Sequence, residues 1–325
     1  MFIINPLKRS LEKGEKIAFI TSNRYGERLG DTLISLITVY NLFKQNYSIE
    51  VFGDYAYALR RWFPHFTIHP QLSIDQQEIL QNYSTVIHLG HSLLSQEVET
   101  WHSHSIFLWR KPLYTSKNSI VEVQLIQCRE IFNIEEPTLN NGLVVPANVC
   151  FGKYQNRVMI HPTSSKIDNQ WPAKKFAQLA KILSLRGYQP YFILLPQERG
   201  SWEKNAGPGL SIPSYQNIDE VATALCESGY FIGNDSGIGH LASNVGLPTL
   251  TIMIRFGLMR QWRPSFHCRN EVILASPRYC PRPIKELIWK KCTTVSKVIK
   301  KFEKLTDLKN LYDEKNVKMD AVLSL

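Results

Sequence analysis

Asp235, Ser236, Gly237, Gly239 and His240 fall within six residues of the stretch "FIGNDSGIGHLASNVGLPTLTI", which runs from Phe231 to Ile252. A carboxylate, a hydroxyl, two glycines and an imidazole held so close together could bind an anion, attack an ester, or cap a helix. The flanking residues place the turn. "GYFIG" reads as a short buried strand, "HLASNVGL" has the small-residue spacing of a helix packed on a sheet, and "PTLTIMI" reads as the next parallel strand. Asp235 to Gly239 therefore sit at the carboxyl end of a strand. Open α/β sheets bind ligands at that edge, and the N–H groups of a helix start favour an anion. A phosphate site is the first reading.

Three rival readings stand beside it. Gly237, Gly239 and Ala242 fit G-x-G-x-x-[GA], but a dinucleotide fingerprint also needs an acidic residue about 20 positions on, and no Asp or Glu occurs between Ser236 and Asn270. Ser236 with His240 suggests a hydrolase, yet Asn234 and Ile238 occupy the glycine positions of the G-x-S-x-G elbow. A tight turn whose Asp and Ser do no more than cap the helix remains open.

The elements that must position this turn alternate between strand and helix. "KIAFIT" reads as a strand, "TLISLITVYNLFKQN" as a helix, and "IEVFG", "TVIHLG" and "SIFLW" as further strands. The pattern restarts with "RVMIHP", the amphipathic "PAKKFAQLAKILSLRG", the strand "QPYFILLP" and the helix "NIDEVATALCES". Such alternation predicts an α/β protein of two doubly wound domains, residues 1–150 and 151–325, joined near "NNGLVVPANVCFGKYQ". A chain of 325 residues is comfortable for two domains of ordinary size.

Composition narrows the class. Hydrophobic residues make up 44% and charged residues 20%, no apolar run approaches the ~20 residues of a membrane span, and the amino terminus lacks the order of a secretory signal. A cytoplasmic protein is expected. Six cysteines, at 128, 150, 226, 268, 280 and 292, form no C-x-x-C pair and read as free thiols. Residues 1–150 carry thirteen Lys and Arg against fourteen Asp and Glu, so the net charge of +10 belongs to the second half. Its basic stretches, "IRFGLMRQWRP", "RYCPRPIKELIWKKC" and "KVIKKFEKL", would suit a polyphosphate ligand, an anionic membrane surface or nucleic acid. A solvated face suits the last of them best.

Several of these pieces are collinear. "RLGDTLISL" enters the first helix, "HPTSSKIDNQWP" follows a strand, "LPQE" follows the next, and "DSGIGH" closes the series. In that order they resemble the bacterial heptosyltransferase family, glycosyltransferase family 9. The resemblance covers most of the chain. It implies the GT-B fold, two Rossmann-like domains facing a central cleft. The first would take the acceptor and the second the nucleotide-sugar donor, and the last helix of the chain can pack back on the first domain.

The resemblance also assigns roles. Asp31 stands where the family's proposed general base lies; a direct transfer needs a base to take the acceptor hydroxyl's proton while the nucleoside diphosphate leaves. A helix N-cap is the alternative role for Asp31. The sequence holds no D-x-D pair, so no metal site is expected, and the leaving group must be met by backbone N–H groups, hydroxyls and a cation. Thr163, Ser164, Ser236, Gly237 and Ile238 are the donors and Lys166 the cation. Family members commonly carry Lys two residues before the Trp-Pro, where this chain has Asn169, and Lys166 substitutes from three residues earlier. Glu198 accepts from the ribose, Asp235 holds sugar hydroxyls, and His240 buttresses the turn.

On the acceptor side, Arg24, Arg28, Arg60 and Arg61 are the candidate cations for an anionic, lipid-linked sugar. The implied partners are ADP-heptose and a lipopolysaccharide core acceptor, with peripheral contact at the cytoplasmic face of the inner membrane. No nucleic acid and no cofactor are expected. The loop "IRFGLMRQWRP" departs from its family counterpart, which is richer in Gly, Pro, Thr and Asp. A different sugar nucleotide, or nucleotide-sugar binding without transfer, remains an alternative; the second would tolerate loss of Asp31.

Overall fold

The computed structural model describes residues 11, 14–22, 26–90, 102, 104–108, 118–254, 261–267, 269–274 and 282–307. The chain divides into two compact units. Unit 1 comprises Met1–Asn148 with Asn217–Asp219, and unit 2 comprises Val149–Gln216 with Glu220–Leu325.

Unit 1 runs β1 (Lys16–Ile20), α1 (Leu29–Lys44), β2 (Ser48–Phe52), α2 (Asp54–Ala58), β3 (Thr67–His69), β4 (Thr85–His88), β5 (Ser105–Phe107) and α3 (Ile120–Phe132). All its strand pairs are parallel, in the order β3-β2-β1-β4-β5. The central β1 is apolar on both faces, as a strand covered by helices on either side must be, and Ile17 to Ile20 are fully buried. α1 meets α3 through a buried bond from Thr38 Oγ1 to Gln124 Oε1 of 2.9 Å. α3 begins with a reciprocal capping box: Ser119 Oγ accepts from the Glu122 N–H, and Glu122 Oε2 accepts from the Ser119 N–H.

Unit 2 runs β6 (Tyr154–His161), α4 (Ala173–Leu185), β7 (Gln189–Phe192), α5 (Pro196–Ala206), α6 (Ile218–Cys226), β8 (Ser228–Asn234), α7 (Gly237–Asn244), β9 (Thr249–Met253), β10 (Asn270–Leu274), α8 (Arg282–Cys292) and α9 (295–307). Its sheet is also parallel, in the order β10-β9-β8-β6-β7. α4 buries Phe176, Leu179, Ala180 and Leu183, the three- and four-residue spacing of a one-faced helix. They join Trp171, Phe192 and Trp289 in one core, to which α9 adds Val295, Val298, Ile299, Phe302 and Leu305.

Each strand order reverses at one central pair, β1 with β4 in unit 1 and β6 with β8 in unit 2. Loops leaving the carboxyl ends of such a pair diverge to opposite sides, which opens a crevice for a ligand. Asp31 follows β1. Thr163 follows β6, and Asp235 follows β8.

Three strands differ from the sequence expectation. "QPYFILLP" is strand only as far as Phe192, because Pro196 opens α5 four residues later. β3 and β10 had no counterpart in the pattern. The last described helix, α9, packs in the core of unit 2, and residues 308–325 lie outside the described residues. Among the described residues, no helix is long and apolar enough to cross a membrane.

Candidate active site

In unit 2 the site is built on the reversal pair. His161 ends β6 opposite Gly233 of β8. A Cβ on Gly233 would lie 2.8 Å from the His161 carbonyl oxygen, so only glycine lets the two strands approach this closely. The buried Asn234 then ties the loops together: its Nδ2 donates to the Pro162 carbonyl at 2.6 Å, and its Oδ1 accepts from the Trp171 N–H at 3.1 Å. The Trp171 indole donates to the Thr293 carbonyl at 3.0 Å.

This framework brings two of the expected hydroxyls to one imidazole. His161 Nδ1 lies 3.0 Å from Ser236 Oγ, and Nε2 lies 3.1 Å from Thr163 Oγ1. Burial pushes the His161 imidazole down to about 4, so the ring is neutral near pH 7. Ser236 occupies the N-cap of α7 but makes no side-chain cap bond. The N–H groups of Gly237 and Ile238, at the first two positions of that helix, have no possible intrahelical acceptor.

Asp235 is half-buried beside this helix start, and burial pushes its carboxyl up to about 6. His240, one turn into α7, is buried and pushed down to about 4, with a backbone hydrogen bond involving Trp262 and no partner for Nδ1.

The remaining donor candidates sit on the two neighbouring loops. Ser164 Oγ donates to the Lys166 carbonyl at 3.0 Å, and the exposed Lys166 precedes a short turn of 3₁₀ helix, Ile167–Asn169. Asn169, at the position of the family lysine, donates its N–H to the same carbonyl. Glu198 is the third residue of α5, where its Oε2 accepts from the Leu195 N–H at 3.0 Å.

In unit 1, Asp31 lies in the first turn of α1 as its third residue. The N-cap is Arg28, without a side-chain cap bond. Asp31 is therefore not the cap. Glu27 organises the turn before it: Oε1 accepts from Thr21 Oγ1 and Thr32 Oγ1, both at 2.8 Å, while Oε2 accepts from the Tyr55 N–H at 2.9 Å. One carboxylate thus joins the end of β1 and the starts of α1 and α2.

Of the four arginines, Arg28 is exposed at the start of α1. Arg60 donates to the Tyr57 carbonyl at 2.9 Å and lies 4.3 Å from the centroid of its ring. Arg61 Nε pairs with Asp219 Oδ1 at 2.5 Å and its Nη1 donates to Asn148 Oδ1, so much of its fork is already engaged. Arg24 lies outside the described residues, as does the 255–260 part of "IRFGLMRQWRP". Among the described residues, no group of three or more His, Cys, Asp or Glu side chains is placed to hold a metal ion.

Sequence reasoning missed His161, Asn234 and Glu27. His161 lay in view as the first letter of H-P-T. Glu27 carried no signal beyond its place four residues before Asp31.

Residues 132–265 match the family described as glycosyltransferase family 9 (heptosyltransferase). No curated protein matches the sequence. Among solved structures the chain is similar to the glycosyl transferase family 9 protein of Veillonella parvula DSM 2008, at 16% identity and a TM-score of 0.68 over 91% of this chain and 99% of that one. It is similar to E. coli heptosyltransferase WaaC with ADP at 15% identity and 0.64, over 89% and 99% of the two chains. For E. coli ADP-heptose lps heptosyltransferase II the values are 15% and 0.70, over 91% and 99%. The two parallel five-stranded sheets are those of the GT-B fold. The matched segment contains the whole Thr163 to His240 group and the fold is shared over nearly the full length, so the chain carries a glycosyltransferase family 9 (heptosyltransferase) segment on a GT-B fold.

Proposed function

We propose that this enzyme transfers heptose from ADP-heptose to a lipopolysaccharide core acceptor, with inversion and without a metal ion. The observation that carries the reading is the grouping of Thr163 and Ser236 on His161 beside the start of α7, at the strand reversal of the second sheet. Hydroxyls beside a helix start suit a diphosphate. The choice of an ADP-sugar is supported by two E. coli WaaC structures, one described with ADP and one with ADP-2-deoxy-2-fluoro heptose.

The residues then divide the work. The first-turn N–H groups of α7, the two hydroxyls and Lys166 neutralise charge that builds on the departing diphosphate. Glu198 accepts from the ribose hydroxyls, and Asp235 in its ionised form accepts from hydroxyls of the sugar. Asp31 takes the acceptor hydroxyl's proton as the new bond forms at the anomeric carbon and the bond to the phosphate oxygen breaks. Attack from the face opposite the leaving group inverts the centre. Arg28 and Arg60 are the cations for an anionic acceptor. A nucleotide-sugar donor places the reaction in the cytoplasm, and a lipid-linked acceptor would bring the enzyme to the inner face of the membrane.

The test compares, by mass spectrometry, lipopolysaccharide cores from cells with and without the gene. A core lacking one residue of heptose mass supports the reading, and an unchanged core overturns it.

A further inference from the structure

We infer that His161 is a positioning residue: it fixes which of the Thr163 and Ser236 hydroxyls offers a proton to the donor's diphosphate, and it keeps the start of α7 uncapped. The inference rests on the donor reading above and deepens it.

Both ring nitrogens are engaged, one by each hydroxyl, at 3.0 and 3.1 Å. A neutral imidazole carries a single N–H. The hydroxyl beside that N–H accepts from it and keeps its own hydrogen for an anion. The other hydroxyl donates into the ring lone pair and presents only lone pairs elsewhere. The buried ring at the end of β6 therefore leaves one oriented donor where two freely rotating hydroxyls would otherwise stand.

A second consequence concerns the helix. A serine at an N-cap ordinarily accepts an N–H from the first turn of its helix. Ser236 has the extended backbone of a cap, φ −160° and ψ 162°, yet its side chain makes no cap bond and turns to His161 instead. The imidazole thus diverts the one side chain that would cover the helix start. The N–H groups there stay available to a phosphate.

The test measures ADP and adenosine binding by calorimetry, with thermal melts, for wild type and His161 variants. His161→Phe keeps a buried ring without nitrogens. His161→Asn places a polar group where Nδ1 meets Ser236, and His161→Gln where Nε2 meets Thr163. The expected result is an ADP Kd raised about tenfold or more in His161→Phe, with adenosine changed less than twofold, and His161→Asn within about threefold of wild type. His161→Gln should fall between them. In a Ser236→Ala background, His161→Phe should cost less than about threefold further, because part of its effect is already gone.

ADP affinity within twofold of wild type in His161→Phe, equal losses for ADP and adenosine, or full additivity with Ser236→Ala would each overturn the positioning role. Should His161→Phe not fold, equal ADP affinities in His161→Asn and His161→Gln would overturn it. Wild-type protein that binds no ADP would overturn the donor reading and this inference with it.

Discussion

Thr32, in the first turn of α1, donates its hydroxyl hydrogen to Glu27 at 2.8 Å, and Glu27 accepts two further bonds from Thr21 and the Tyr55 N–H. The residue before Thr32 is Asp31, so Glu27 anchors the turn that carries the proposed base. Glu27→Ala would leave those donors without their acceptor. It should lower stability by about 1–3 kcal/mol in urea unfolding, with reduced turnover in the remaining folded protein. An unchanged midpoint and unchanged turnover would show that the turn holds without it.

Lys166, the proposed phosphate cation, is exposed and precedes a short turn in which Asn169 stands at the position of the family lysine. Replacing Lys166 by Ala should remove a charge-assisted bond to phosphate worth roughly 1.5–3 kcal/mol, raising the ADP Kd by tenfold or more. Acceptor KM should change little. Equal ADP affinity in the variant would move the phosphate role to another cation.

The carboxyl of Asp235 is raised to about 6 by burial, above its value in an unfolded chain. In the native state it therefore keeps its proton over a range where the unfolded chain has lost it, roughly pH 4 to 6. Linkage then makes the folded state lose stability as pH rises through that window, with no further change above it. Asp235→Asn lacks this dependence. Relative to wild type, the variant should gain on the order of 1–2 kcal/mol between pH 4.5 and 7 in paired thermal or urea melts. Parallel stability curves for the two proteins would contradict the raised value.

The absence of any D-x-D pair from the sequence leads to a direct expectation for metal. Activity should survive a chelator undiminished, and ADP should protect the protein thermally with no divalent ion added. An absolute requirement for Mg²⁺ or Mn²⁺ would overturn the proposed neutralisation of the leaving group by N–H groups, hydroxyls and Lys166.

Much of the fold was legible because buried parallel strands are apolar on both faces. "KIAF", "RVMIH" and "TLTIM" announce β1, β6 and β9 by composition alone. β3 escaped notice because three residues, Thr67 to His69, are too few for a pattern, and β10 because its half-buried edge position begins with Asn270 and Glu271. α1 starts three residues before "TLISL" since Leu29 and Gly30 are already buried against the fold. In the site, the hydroxyls and acids were visible as motif letters. What could not be read was which of them touch: Ser236 and His161 are 75 residues apart, and only the pairing of β6 with β8 brings them together. Glu27 was hidden for the same reason, its third partner lying 28 residues away at Tyr55.

The central claim is that Asp31 is the base of a transfer reaction, and Asp31→Asn tests it most directly. The N-cap of α1 is Arg28, so the substitution removes no cap bond and weakens only the favourable placement of a charge in the first turn, worth about 0.3–1 kcal/mol. Steady-state turnover with ADP-heptose and a lipopolysaccharide core acceptor, measured beside thermal melts and ADP binding, separates chemistry from folding. The account predicts a fall of roughly 10²- to 10⁴-fold in turnover, with the melting temperature and ADP affinity nearly unchanged. Turnover within a few-fold of wild type would contradict it.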